Sequence, residues 1–362
     1  PTAEVARQSV RVGYSFSDFV SHSLPPRQIL LQIFPGIFGA LREAGAPPYF
    51  GAENQTELTG YVGLLPLMLA VIGFIKWPER RLVIFWLSTA LLAMVLAMGD
   101  ATPLARLTYH IPILNQFRAP GRHLLESTFA ITVLAGLGIG RFSRQPSPTS
   151  LTFKVVAFSG LVMLICILLV ILNLDTFVAL AAQKNISRAA VVAWTKQAIV
   201  VPVLIFAMTA SVLLYWSRAP FSFWRKVLLL LVLVIDLASF GWFYQWRYSP
   251  LNEKQLVPPT IALRYKEVLR QSNQRLLPSR GTFAELTEMP PNLSRLWGVP
   301  SASGYNSLIL LRPSRLLALS DVGVVTAPLW WEPNDQSLNV ASVRYLFLPH
   351  GETTNNLGTV WN

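Results

Sequence analysis

The chain has 362 residues, 52% of them hydrophobic and only 13% charged, with a mean hydropathy of +0.45. An ordinary soluble protein carries about 25% charged residues, so a wholly water-soluble globule is excluded and a membrane protein is indicated. The single cysteine, Cys166, rules out an intrachain disulfide or a multi-cysteine metal site. The net charge of +12 is spread among apolar runs and loops, which fits anionic lipid surfaces and not nucleic acid.

In chain order, residues 1–59 are expected to form an outer loop rather than a domain. The opening Pro1-Thr2-Ala3-Glu4 has neither the basic nor the apolar region of a signal peptide, and the chain reads as the C-terminal part of something longer. Pro25–Pro35 reads as a short interfacial helix lying on the membrane, and Pro47–Gly51 as a turn. Six apolar stretches then approach the roughly 20 residues that a spanning helix needs. They are about 60–77, 82–98, 124–140, 153–173, 198–216 and 226–244, and together they make residues 60–244 a transmembrane helical domain.

Orientation follows from lysine and arginine in the short connections. Lys76, Arg80 and Arg81 follow the first span, Arg141, Arg144 and Lys154 the third, and Arg218, Arg225 and Lys226 the fifth. These connections are expected to face the cytoplasm. The longer ones, about 99–122 and 174–197, and both chain ends then face outward.

Residues 245–362 are expected to form a small extracytoplasmic α/β domain. Thr260–Gln271 and Pro313–Leu319 read as helices, Arg275–Leu277 and Val343–Leu348 as strands. The fold class is thus a mainly α transmembrane bundle of about six spans followed by that domain.

Several residues have the chemistry of a site. Arg118 and Arg122 precede the third span at headgroup depth, where guanidinium forks can hold a phosphate; interfacial anchoring by snorkelling is the plainer alternative. Glu53, Asn54, Glu57 and Tyr61 cluster before the first span. The two glutamates, four apart, suit a sugar or a metal, or are simply acids favoured at a helix N-terminus. Asp236 lies in the middle of the sixth span, where a carboxylate is costly and is by default functional or paired. Glu126 is a weaker candidate because it can reach the interface. Gly136-Leu137-Gly138-Ile139-Gly140 is not a nucleotide loop, since it lies within a membrane helix; it reads as a close-packing face. The four histidines are dispersed and show no metal-ligand spacing.

Taken together, Tyr49-Phe50-Gly51, Tyr61–Leu67, Gly99–Leu104 and Phe117-Arg118-Ala119-Pro120-Gly121-Arg122 resemble one family. Ser303–Leu308 with Arg312, and Asn339–Leu346, extend the likeness over nearly the whole chain. The family is the YfhO group of bacterial multi-spanning membrane proteins, similar to the GT-C glycosyltransferases. Ala341-Ser342 departs from its pattern.

The resemblance implies sugar transfer from a polyprenyl-phosphate donor to a cell-envelope glycan or polymer, at the outer side of the bacterial cytoplasmic membrane. In such enzymes the catalytic carboxylate lies in an earlier outer loop that nothing here matches, so no catalytic residue is named, no cofactor is expected in this portion, and a divalent metal belongs to the full-length protein. Arg118, Arg122, Glu53, Glu57 and Tyr61 are then the substrate-binding candidates. A non-enzymatic membrane scaffold and, on the strength of Asp236, a transporter stand beside this reading.

Overall fold

The computed structural model describes residues 2–10, 14–40, 46–53, 55–75, 80–112, 114–144, 149–218, 223–241, 257–278, 293–304, 309–320, 323–325 and 336–347. Asn54, Lys76 and 77, 242–244, 305–308 and Leu348, all named above, lie outside the described residues. The chain divides into two compact units, Phe16–Ser249 and a second formed by Pro1–Ser15 together with Pro250–Asn362. The first fifteen residues, expected within a loop running to residue 59, group with the C-terminal part.

The elements run α1 (Thr2–Arg7), α2 (Phe16–Phe19), α3 (Leu64–Ile75), α4 (Arg80–Ala97), α5 (Leu104–Tyr109), α6 (Leu124–Arg144), α7 (Thr149–Leu172), α8 (Leu174–Ala182), α9 (Arg188–Ser217) and α10 (Phe223–Gly241). Among the described residues, four helices are long and apolar enough to cross a bilayer: α4, α6, α7 and α9. The remaining two expected spans differ for physical reasons. α3 has 12 residues, roughly 18 Å of helix against a hydrocarbon core of about 30 Å. It starts at Leu64 because Gly63 sits at φ +94°, a conformation that glycine adopts without strain. α10 is longer but carries Arg225, Lys226 and Asp236.

Apolar side chains are turned outward along these helices. On α7, Phe153, Leu164, Leu168 and Leu172 are all more than half exposed, as are Phe85 and Leu91 on α4 and Leu204 on α9. Exposed apolar surface on this scale asks for a non-aqueous neighbour, and helices are what satisfies a backbone there. α4 buries its small residues Ala90, Ala93 and Ala97. α3 and α6 cross at glycines: a methyl group on Gly73 would lie 2.7 Å from the Leu134 carbonyl oxygen, and one on Gly138 would overlap the Leu69 carbonyl oxygen. Gly138 is therefore the part of the glycine run that permits close packing, whereas Gly136 faces open space.

The connection expected over 174–197 is helical. Ser187 caps α9 by accepting from the Ala190 N–H at 3.3 Å, and buried Val191, Trp194, Ala198, Pro202 and Ile205 follow one helical stripe. Arg188 and Lys196 interrupt the apolar run without interrupting that stripe. Pro26–Gln32 is a 3-10 helix, and Leu31, Phe34, Ile37 and Phe38 are fully buried against α8 and α9. Phe38 stacks on Phe177 at 4.9 Å, and the Trp194 indole N–H donates to the Gly36 carbonyl at 2.7 Å.

In the second unit, α11 (Thr260–Ser272) leads through Asn273, at φ +52°, into β1 (Arg275–Pro278). There follow α12 (Leu293–Leu296), α13 (Leu311–Leu317), α14 (Ser337–Val340) and β2 (Val343–Phe347). β1 and β2 pair in parallel. Ala262, Leu269, Leu276, Trp297 and Val299 form the core between sheet and helix. Ser342, at φ +55°, is the turn by which the chain leaves α14 and enters β2, so the departure at Ala341-Ser342 lies at a helix-to-strand junction. From the N-terminal side, the Val10 N–H donates to the Ile309 carbonyl and the Leu311 N–H to Gln8, at 2.9 and 2.8 Å.

Candidate functional site

Segments far apart in sequence meet where α3 and α6 begin and α4 ends. The Leu24 N–H donates to the Ala97 carbonyl at 2.8 Å, and the Gly121 N–H to the His22 carbonyl at 3.1 Å. Gly99, at φ +50°, leaves space for a side chain neither toward Ser23 nor toward Pro120. Ala119 adopts φ +68° and is followed by the 3-10 helix Pro120–His123. A side chain at position 121 would meet the His22 carbonyl and Leu58 at 2.6 Å. The Phe117–Arg122 run is thus a tight turn that needs a proline and a glycine in sequence, and it holds Arg122 at the head of α6.

A second knot secures the neighbouring loop. Gln28, fully buried, donates from Nε2 to the Tyr49 hydroxyl at 2.6 Å, and that hydroxyl lies 3.1 Å from the Ala52 carbonyl. Lys184, from the α8–α9 turn, donates to the carbonyls of Tyr49 and Gly51 at 3.1 and 3.4 Å. Gly51 is packed against the Tyr49 ring and the Gln28 amide, with no space for a Cβ.

Arg122, Glu57, Glu53 and Tyr61 are each held by a specific neighbour. Arg122 Nη2 donates to Glu57 Oε1 at 2.9 Å; the arginine side chain is 60% exposed and the glutamate 27%. Glu53, at φ +56°, places Oε2 2.7 Å from His22 Nδ1. Through the His22–Gly121 bond, Glu53, His22, Gly121, Arg122 and Glu57 form one continuous polar cluster. Arg118 stands half-buried just before it. Among the described residues, Glu57 Oε2 and the Oε1 of buried Gln55 have no hydrogen-bond partner, and buried acceptors of that kind call for a donor. Glu126 instead sits beside His123 at 3.5 Å, exposed.

Tyr61 turns away from this cluster. Its hydroxyl donates to Asp236 Oδ1 at 2.5 Å, while the Leu64 and Leu65 N–H groups donate to Asp236 Oδ2 at 2.7 and 3.4 Å. Asp236 is fully buried and so caps α3 from another helix, satisfying N–H groups that have no partner within α3. The costly mid-helix carboxylate is accounted for by packing. A side chain at Gly63 would come within 2.8 Å of Asp236 Oδ2, which is why glycine stands there.

His22 was not among the residues singled out from sequence, and Gly121 stood out only as part of the Phe117–Arg122 run. No spacing signal points to His22, which lies in a different loop from Glu53 and Arg122. Among the described residues, no three of His, Cys, Asp and Glu converge as metal ligands. Comparison with protein-family models, curated proteins and solved structures finds no match for the chain. The fold and the polar cluster define a mostly helical protein with helices long and apolar enough to cross a bilayer and a charged cluster where α3 and α6 begin and α4 ends.

Proposed function

We propose that the chain is part of a GT-C-like membrane glycosyltransferase that moves a sugar from a polyprenyl-phosphate donor to a cell-envelope glycan or polymer. The observation that carries the reading is Arg122: its guanidinium is largely exposed at the start of an apolar helix, and it is held by Glu57. A cation placed there meets a lipid-linked phosphate at the membrane surface. It can stabilise the charge that develops on a departing polyprenyl phosphate. Arg118, four residues earlier, adds a second guanidinium.

In this proposal α3 and α10 complete six spans with α4, α6, α7 and α9. The short basic connections face the cytoplasm of a bacterium, and the polar cap and the C-terminal α/β domain face outward across the inner membrane. A divalent metal does not fit the cap. Glu53 and Glu57 are engaged by His22 and Arg122, and no third ligand joins them among the described residues.

A non-enzymatic scaffold is the second reading, favoured by the same pairings: Arg122–Glu57 and Glu53–His22 also tie three loops together. Transport loses its main support, because the oxygens of Asp236 are taken up by Tyr61 and the start of α3.

The test is binding of a radiolabelled polyprenyl-phosphate sugar to the full-length protein in detergent, compared with Arg118→Ala and Arg122→Ala. Loss of binding in the variants supports a donor site and justifies a transfer assay. Unchanged binding makes both arginines membrane anchors. No binding by the unaltered protein leaves the scaffold reading.

A further inference from the structure

The C-terminal unit contains a cleft of about 470 Å³ between the end of α11 and the 294–304 segment. Its rim is cationic. Arg270 and Arg295 line it, with Ser294, Ser301 and Ser303, and Lys266 reaches the same place. A methyl group on Gly298 would lie 3.2 Å from Arg270 Nη2 and 3.3 Å from Lys266 Nζ. Gly298 is at φ +70°, so the absence of a side chain both permits the turn and keeps the floor open below the two cations.

Lys266 and Arg270 are one turn apart on α11, and like charges at that spacing repel. Among the described residues none of the three cations is in an ion pair. A set of one ammonium and two guanidinium groups around one cleft, with no ion pair among the described residues, is a receptor for an anion. Planar forks favour the tetrahedral oxygens of phosphate. The cleft is far larger than a phosphate ion and falls in the size range of small-molecule sites, about 300–1,000 Å³. The 294–304 segment adds backbone groups to the lining, while the Ser301 hydroxyl is held by the Ser303 backbone.

We propose that this cleft binds a phosphorylated, sugar-sized group, with Lys266, Arg270 and Arg295 as its phosphate contacts. The inference is independent of the transfer reading, since every residue in it belongs to the C-terminal unit.

The test uses the full chain in phosphatidylcholine nanodiscs, titrated calorimetrically with glucose 1-phosphate and, separately, with inorganic phosphate and glucose. Glucose 1-phosphate is expected to bind, glucose not, and affinity falls as salt rises. Arg270→Gln and Arg295→Gln each weaken binding about tenfold, the scale of one charge-assisted hydrogen bond. Arg264→Gln, exposed on the same helix, leaves it unchanged. Near-ultraviolet circular dichroism checks that each variant is folded. Equal binding of glucose, or folded Arg270→Gln and Arg295→Gln variants that bind as the parent does, overturns the proposal. Competition by phosphatidylglycerol nanodiscs that is lost in both variants identifies a lipid headgroup as the source of the phosphate. Without such competition, the source is a soluble or polymer-borne ester.

Discussion

Asp236→Ala is expected to be among the most destabilising single substitutions in the helical unit, and the reason can be worked through bond by bond. The carboxylate accepts from the Tyr61 hydroxyl at 2.5 Å and from the Leu64 N–H at 2.7 Å, with a longer contact from Leu65 at 3.4 Å. All of this is inside the protein, with Asp236 0% exposed. Truncation strands two good donors at about 1–3 kcal/mol each, one of them the Leu64 N–H that the carboxylate caps at the start of α3. The sum is on the order of 2–6 kcal/mol. At about 2–4 °C per kcal/mol for a domain of this size, the melting temperature should fall by roughly 4–24 °C. Asp236→Asn keeps an oxygen for the Leu64 N–H, and its amide can donate to the Tyr61 oxygen, so it should cost only about 1 kcal/mol. The assay is thermal unfolding of the purified protein in detergent, followed by tryptophan fluorescence. A melting temperature for Asp236→Ala within a degree or two of the parent would refute the capping argument. A stable Asp236→Asn protein without activity would return the residue to a proton-handling role.

Gly138→Leu should prevent correct packing of α6 on α3, because the Leu69 backbone occupies the space, whereas Gly136→Ala should be neutral or slightly stabilising; yield of monodisperse protein on size-exclusion chromatography distinguishes them. Tyr49→Phe removes the 2.6 Å partner of the buried Gln28 amide and should cost about 1–3 kcal/mol, read as a lowered melting temperature. Arg122→Ala should change stability by less than about 1 kcal/mol, since the ion pair with Glu57 is well exposed on the arginine side. A larger loss in the same melt would mark the pair as a structural clamp and favour the scaffold reading.

Much of the helical architecture was legible in the residues. A helix in a bilayer must be apolar along its whole length, so α4, α6 and α7 lie close to the stretches read from composition. The strands at 275 and 343 and the helices at 260 and 311 follow from alternation and helical periodicity in a polar setting. Where the reading differed, tertiary contacts intervened. In Pro26–Gln32, Gln28 and Leu31 turn inward while Pro26, Arg27 and Ile29 stay exposed, and Leu31 packs with Phe34 against α8 and α9. α9 extends back to Arg188 because one buried stripe continues beneath its charged residues.

The candidate site divides in the same way. Composition and position were enough to pick out Arg122, Glu57, Glu53 and Asp236 as unusual, because charge at the edge or middle of an apolar run always needs a partner. The partners themselves were not legible. Asp236 is 175 residues from Tyr61 and Arg122 is 65 from Glu57, and His22 shares no periodicity with either glutamate. Which charge meets which donor is set by how the helices cross. That crossing depends on backbone approach at Gly73 and Gly138 and on the turns at Gly63 and Ala119. Local sequence determines where helices can form and which residues are costly to bury; only the packed structure decides what neutralises them, because hydrogen bonds of this kind are made by distance in space and not along the chain.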